Sequence, residues 1–473
     1  MTARGPLQDL AGLYGISTSY TDYKGADIAV SDDTLIKVLR ALDVDLGEGE
    51  PSDGTINAAI ERFHDREFSR PLPPCVVAVQ GDEVVFPVHV HEGAPAEVHI
   101  EFESGERREA HQVDNWTPPR EVDGTTWGEA SFKLPADLPL GWHQLRLTSG
   151  EQTATCGLII TPERLSTADK YLESPRTGVM AQIYSVRSNL SWSMGDFNDL
   201  GHLASVLAVD GADFLLINPL HAAEPLPPTE DSPYLPTTRR FINPIYLRVE
   251  DIPEFNQLPV DLRDEVAELA DEFREENFTP DIIERNPIFE AKLQVLHEIF
   301  RIERSPERDR AFRDFVEQEG QGLVDFASWC AEREATQLAS AHRAEPDRDE
   351  LTTFYMWLQW LCDEQLAAAQ KRAVDSGMSI GIMADLAVGV HPGGADSQNL
   401  AHVLAPDISV GAPPDGYNQR QDWSQPPWNP TRLAEEGYIP WRNLLRTVLR
   451  HSGGIRVDHI LGLFRLFVMP RME

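Results

Sequence analysis

The spacing of apolar residues changes along the chain and divides it into three regions with different predicted secondary structure. Near the amino end, apolar residues recur at helical spacing. Ser31 is a capping residue, and it precedes the run Leu-Ile-Lys-Val-Leu-Arg-Ala-Leu; residues 56–68 repeat the same pattern. We therefore predict a small helical module over residues 1–70.

Between residues 71 and 162 the apolar period becomes two, which is typical of strands. The candidate strands lie at residues 76–79, 84–90, 96–102, 130–134 and 143–147. Short strands separated by turn residues indicate an immunoglobulin-like β-sandwich. Trp116, Trp127 and Trp142 could bind sugar on such a domain or pack in its core, and we favour core packing.

From residue 163 onward, buried strands alternate with helices. The strands are predicted at residues 178–186, 212–220, 378–388 and 454–460. Helices are predicted near residues 199–208 and 433–449, with a long helical insertion at about 260–376. This alternation implies parallel strands joined by right-handed crossovers. Because a (β/α)8 barrel needs eight such strands, we expect residues 163–473 to form the first half of a TIM-type barrel.

The charge balance narrows the classes of partner. With 41 Lys and Arg against 77 Asp and Glu, the net charge is −36, which disfavours nucleic acid and anionic membranes but leaves neutral sugars unaffected. We find no signal peptide or membrane-spanning run and expect a cytoplasmic protein. The four cysteines are scattered without a CxxC pair, so no metal site is expected.

The end of the fourth predicted strand offers a specific chemistry. Side chains alternate along a strand, so Arg456 and Asp458 point the same way. A guanidinium in this position orients the carboxylate, and an oriented carboxylate can attack an anomeric carbon in retaining glycosyl chemistry. The spacing alone favours the alternative, an ion pair that only ties the strand.

Several blocks of sequence, taken together, resemble one family. They occupy residues 178–188, 192–200, 216–221, 232–240, 243–246, 384–390, 409–415 and 454–459, the last reading Gly-Ile-Arg-Val-Asp-His. Their content and order resemble amylomaltase-type 4-α-glucanotransferases, glycoside hydrolase family 77 of the α-amylase superfamily. Gly12-Leu-Tyr-Gly-Ile is similar to the longer bacterial branch. One departure is Ala387, where many family members have proline.

The resemblance implies roles for individual residues. Asp458 would be the nucleophile that forms a covalent glucosyl-enzyme intermediate, and Arg456 would orient it. Substrate binding or ordering of the site is implied for seven further residues: Tyr234, Asp385, His459, Asp415, Trp423, Asn218 and Ser232.

Four of these assignments have a structural alternative. Asp385 could only bridge strands, and Tyr234, implied to stack beneath the transferred glucose, could merely cap a loop. Trp423 could be a hydrophobic lid, and His459 a core histidine.

The implied activity is transfer of α-1,4-glucan segments between maltooligosaccharides by double displacement, without a metal or organic cofactor. In the family the acid/base Glu and a third essential Asp lie on strands after the fourth, so we expect them outside this chain and expect no turnover from it alone. A catalytically inactive glucan-binding fragment is one alternative. An α-amylase-like hydrolase or branching enzyme is another, disfavoured because Asp385-Leu-Ala-Val lacks the Asn-His of the amylase motif.

Overall fold

The structure is a computed structural model that describes residues 5–279, 282–341 and 347–471. The amino-terminal module contains helices α1 (Pro6–Leu13), α2 (Asp32–Ala41) and α3 (Asp53–Ser69), and a hairpin of β1 (Ser19–Thr21) and β2 (Asp27–Ala29) that the sequence pattern did not predict. Ser31 and Ser52 cap α2 and α3 by accepting backbone N–H groups with their side chains. The apolar faces of the three helices bury a small core of their own.

The next region is a sandwich of two sheets, which confirms the predicted β-sandwich. Its strands are β3 (Cys75–Val79), β4 (Val85–His91), β5 (Glu97–Glu101), β6 (Arg107–Glu109), β7 (His111–Val113), β8 (Arg120–Val122), β9 (Thr125–Lys133), β10 (Gly141–Ser149) and β11 (Gln152–Thr161). One sheet has the order β3-β11-β10-β5-β6, and the other joins β4, β9 and β7, with β8 also paired to β9. Inward-facing residues such as Val88, Ile100 and Leu145 are fully buried between them.

The tryptophans of the sandwich do not share one role. Trp127 packs against His91, and Trp142 lies under the guanidinium of Arg442, 5.2 Å from ring centroid to Cζ. Trp116 is 91% exposed, so the prediction of core packing was wrong for this residue. It lies on the surface loop between β7 and β8, outside the alternating pattern that places side chains in the core.

The third region is built on a parallel sheet of the order predicted. Its strands are β12 (Gly178–Ala181), β13 (Phe214–Ile217), β14 (Gly381–Leu386) and β17 (Gly454–Val457), each paired in parallel with the next. Helix α4 (Phe197–Val209) connects the first two strands, and Asp196 caps it. The first region packs on this third region, since Val38 and Ala41 of α2 contact Ala405 and Ile408.

In its described residues, the predicted helical insertion contains five α-helices: α5 (Val260–Glu275), α6 (Arg285–Phe300), α7 (Pro306–Glu319), α8 (Gln321–Ser340) and α9 (Arg348–Asp375). Residues 280–281 and 342–346 of the insertion lie outside the described residues. Aromatic side chains fill the core where the helices meet, including Phe289, Phe354 and Trp357. None of the helices in the described ranges is long and apolar enough to cross a bilayer.

Two local features differ from the sequence expectation. The helix predicted over residues 433–449 is divided into α11 (Pro430–Glu435) and α12 (Ile439–Leu449), with the short α10 (Ala395–Asn399) before them. The division occurs because Gly437 and Tyr438 both have φ of 58°, in the left-handed region, and no helix continues through that region. A small antiparallel sheet, β16-β15-β18, was also not predicted; it comprises β15 (Ile408–Ala412), β16 (Gln421–Gln425) and β18 (Phe467–Pro470).

Candidate active site

Polar side chains meet where β14 and β17 end. The two strands are neighbours in the parallel sheet, and their register places Asp385 directly beside Arg456. Residues in register on adjacent strands project to the same face. The local strand geometry therefore brings the Asp385 carboxylate and the Arg456 guanidinium together, and Asp458 follows two residues later in the chain.

Four of the predicted residues form one hydrogen-bonded chain. Arg456 Nη1 donates to both carboxylate oxygens of Asp385, each at 2.7 Å. Its Nη2 donates to Asp458 Oδ1 at 3.0 Å. From the other side, the Tyr234 hydroxyl donates to Asp385 Oδ2 at 2.8 Å. The guanidinium thus bridges two carboxylates, and the phenol closes the chain.

The two carboxylates differ in how far their side chains are exposed. The side chain of Asp385 is 4% exposed, whereas that of Asp458 is 29% exposed. Arg456 and Tyr234 engage both oxygens of Asp385, so that carboxylate is held as an internal acceptor. Asp458 is the carboxylate within reach of a ligand.

The pKa values of Tyr234 and Arg456 keep both side chains protonated, as hydrogen-bond donors to the carboxylates. Burial, the hydrogen bond to Asp385 and the neighbouring negative charges raise the pKa of Tyr234 to about 12. The phenol therefore remains a donor at neutral pH. The hydrogen bond to Asp385 raises the pKa of Arg456 above its ordinary value, and the charges of both carboxylates add to this effect.

His459 and Trp423 lie beside Asp458. His459 has a φ of 50°, in the left-handed region, directly after the nucleophile candidate. Its ring meets the Trp423 ring edge to face, with centroids 5.1 Å apart. Trp423 lies on β16 and donates from Nε1 to Gln421 at 3.2 Å. Both rings are half-buried, so each has a face or edge that a bound ligand can contact.

Two other predicted residues, Asp415 and Ser232, lie outside this hydrogen-bonded chain. Asp415 lies on an exposed turn, where its Oδ1 accepts the backbone N–H groups of Tyr417 and Asn418 at 2.7 Å each. These bonds hold the pKa of Asp415 below its usual value. Ser232 is exposed, and its Oγ accepts the backbone N–H of Tyr234 at 3.3 Å. Both side chains shape the loops that carry aromatic residues.

Asn218 is buried and occupied internally. Its Oδ1 accepts the backbone N–H of Ile183 at 2.7 Å, and its Nδ2 donates to the Pro219 carbonyl and the Tyr246 hydroxyl at 2.9 and 3.0 Å. These bonds tie the segments that follow β12 and β13 together. The amide of Asn218 therefore stabilises these two segments and is not open to a ligand.

Some residues at the site were not predicted to contribute. Gln425 is buried and donates to the Tyr234 carbonyl at 2.9 Å. His221 and Arg239 contact the backbone just after Asp385. His221 directly follows the second predicted strand, and this position was a signal that it could contribute. Arg239 and Gln425 contact backbone that is distant in the sequence, and no local pattern reveals such contacts.

Comparison with known proteins identifies the family of this chain. Residues 181–473 match the family model described as 4-alpha-glucanotransferase, and residues 71–162 match the model of the MalQ N-terminal beta sandwich domain. The chain belongs to the 4-α-glucanotransferase family. The predicted resemblance to amylomaltases and the predicted transferase activity are thereby confirmed, and neither a hydrolase nor a branching enzyme is favoured.

Individual relatives agree with the family match. The 4-alpha-glucanotransferase of Mycobacterium tuberculosis is 46% identical and aligns with 99% of this chain and 67% of its own length. The crystal structure of amylomaltase from Corynebacterium glutamicum is 76% identical with a TM-score of 0.97, again over 99% of this chain and 67% of that one. The chain spans about two thirds of the length of these proteins.

A more distant structure shares the fold. Amylomaltase from Streptococcus agalactiae in complex with acarbose has a TM-score of 0.51 at 17% identity, over 63% of this chain and 62% of that one. Together, the matches show a multidomain amylomaltase fold with an amino-terminal β-sandwich and an α/β catalytic region.

Proposed function

We propose that the chain presents Asp458 as the nucleophile for retaining transfer of α-1,4-glucan segments between maltooligosaccharides. The observation that supports this most directly is the Arg456 bridge. It binds the buried Asp385 with one nitrogen and the partly exposed Asp458 with the other, which leaves Asp458 oriented and accessible. Family membership supplies the glucan chemistry.

The proposed reaction has two steps. Asp458 attacks C1 of a glucose unit while a carboxylic acid protonates the glycosidic oxygen, so a C1–O ester forms as the glycosidic bond breaks. The 4-hydroxyl of an acceptor sugar then attacks C1, gives up its proton to the same acid/base group, and releases the Asp458 carboxylate. Two inversions at C1 give net retention.

The acid/base group must be a second carboxyl about 5–5.5 Å from the nucleophile. Asp385 does not suit this task, since Arg456 and Tyr234 hold it as an acceptor. We assign proton transfer to the glutamate that the family carries on a barrel strand after the fourth. Asp385 instead orders the site.

We assign positioning of the sugar to the groups around Asp458. The Tyr234 ring, fixed at its hydroxyl by Asp385, would form the platform beneath the transferred glucose. His459 would hydrogen-bond sugar hydroxyls, and Trp423 and the turn of Asp415 would line the acceptor and donor subsites. When the glucosyl-enzyme intermediate and the acceptor sugar are held in the geometry for attack, the effective concentration of the acceptor hydroxyl rises. This favours attack on C1 by the sugar hydroxyl over attack by water.

The sheet supports a proposal about the barrel. We propose that residues 163–473 form the first four strands of a (β/α)8 barrel, after a helical module at 1–70 and an immunoglobulin-like sandwich at 71–162. On the edge strand β12, Val179 is 40% and Met180 is 66% exposed. Exposed apolar side chains on the edge strand of a parallel sheet are the positions that further strands and helices cover. Separately, we propose that the protein is cytoplasmic.

Product analysis tests the proposed function. The natural full-length protein given maltotriose is expected to release glucose and to form longer maltooligosaccharides, which chromatography separates. Maltose and glucose without longer products would contradict transfer. Residues 1–473 are expected to bind maltooligosaccharides in isothermal titration.

A further inference from the structure

One peptide bond connects a buried histidine to the nucleophile candidate. The Leu386–Ala387 peptide lies at the carboxyl end of β14, directly after Asp385. Its carbonyl accepts the backbone N–H of Asp458 at 3.1 Å. Its N–H donates to Nε2 of His221 at 3.2 Å. Because a peptide group is planar and rigid, a displacement at one end of this unit is transmitted to the other.

The protonation state of His221 suits this contact. The ring is buried, and burial, together with the nearby charge of Arg239, lowers its pKa to about 3. The ring is therefore neutral at physiological pH. Since Nε2 accepts from Ala387, Nδ1 carries the proton.

Arg239 holds the other side of the same segment. Its Nη1 donates to the carbonyls of Ala387 and Val388 at 3.1 and 2.7 Å. The guanidinium is buried, 5.6 Å from the Trp428 ring centroid and 6.0 Å from that of Trp441. Burial lowers the pKa of Arg239 to about 10, so the group remains a cation and a donor at neutral pH.

We propose that His221 and Arg239 are positioning residues for the transfer reaction: they clamp the backbone after Asp385 and, through the Leu386–Ala387 peptide, fix the backbone of Asp458. The inference rests on the proposed role of Asp458 as nucleophile. It assigns His221 an effect on the reaction without contact with the sugar.

This link depends on a residue that departs from the family pattern. Many family members have proline at the position of Ala387, and proline has no N–H to donate. In this chain Ala387 supplies the donor that His221 accepts. The clamp through His221 is therefore a property of sequences with a non-proline residue at that position.

Variants at the two ends of the hydrogen bond test the proposal in the natural full-length protein. His221→Leu and Ala387→Pro each remove this bond, and each is expected to lower kcat for maltotriose disproportionation about tenfold, the equivalent of one hydrogen bond, with KM changed less than about twofold. The double variant is expected to lose no more than either single one, because both remove the same contact. His221→Gln, which can still accept, is expected to recover most of the activity.

Two controls separate positioning from stability. Ala387→Gly keeps the N–H and is expected to retain kcat. Arg248→Lys weakens a buried ion pair with Asp196 away from the end of β14, so it is expected to lower the thermal midpoint while kcat per folded molecule stays unchanged.

Three results would overturn the clamp: multiplicative losses in the double variant, equal losses from His221→Gln and His221→Leu, or losses confined to the thermal midpoint as in Arg248→Lys. Failure of the proposed function gives a different result, since then wild-type protein makes no longer oligomers or Asp458→Asn remains active.

Discussion

The hydroxyl of Tyr234 provides a sharp test of how the site is ordered. Tyr234→Phe removes the 2.8 Å hydrogen bond to Asp385 and keeps the ring. A hydrogen bond to a charged group contributes about 1.5–3 kcal/mol. Arg456 still donates to both Asp385 oxygens in the variant, so no unpaired charge is left and the lower value applies. We expect kcat/KM to fall about tenfold, the equivalent of that energy.

The assay is maltotriose disproportionation by the natural full-length protein, followed as glucose released over a range of substrate concentrations. Tyr234→Ala is the companion variant, because it removes the ring as well as the hydroxyl. It is expected to lose clearly more kcat/KM than Tyr234→Phe, and the difference between the two variants measures the contribution of the ring platform.

Wild-type kinetics from Tyr234→Phe would show that the bond to Asp385 does not order the ring. Equal activities of Tyr234→Phe and Tyr234→Ala would refute the platform, and Tyr234 would then only cap its loop. Circular dichroism of both variants shows whether the fold is retained, which is expected because Tyr234 is only half-buried.

Three further changes give distinct outcomes. Asp458→Asn is expected to abolish transfer while binding of maltooligosaccharides in titration persists; residual transfer near the wild-type rate would exclude Asp458 as nucleophile. Asn218→Ala leaves buried polar groups unpaired and is expected to lower the free energy of unfolding by about 2–4 kcal/mol with kcat per folded molecule unchanged; lost activity at wild-type stability would return Asn218 to substrate binding. Gly453→Ala would place a Cβ 1.8 Å from the Ile380 carbonyl oxygen, so the start of β17 must shift and the thermal midpoint is expected to fall strongly; an unchanged midpoint would contradict the close approach.

Features that depend on neighbours in the chain were predictable. Helix caps such as Ser31, the two-residue period of the sandwich and the alternation of strands with helices follow from local propensity and periodicity. The common direction of Arg456 and Asp458 was predictable for the same reason, since side-chain alternation is a property of a single strand. The break at Gly437 and Tyr438 was missed because apolar spacing continues across it.

Features that depend on packing between distant segments were decided by the tertiary structure. Tyr234 reaches Asp385 across 151 residues, and only the fold brings the loop of Tyr234 to the end of β14. The sequence by itself determined a candidate nucleophile on a strand end and, through its family-like blocks, the chemistry. The structure determined that Asp385 is the buried carboxylate and Asp458 the accessible one, and it placed His221 behind the peptide that holds Asp458. Burial and long-range hydrogen bonds arise from how strands and loops pack, and residue spacing does not encode them.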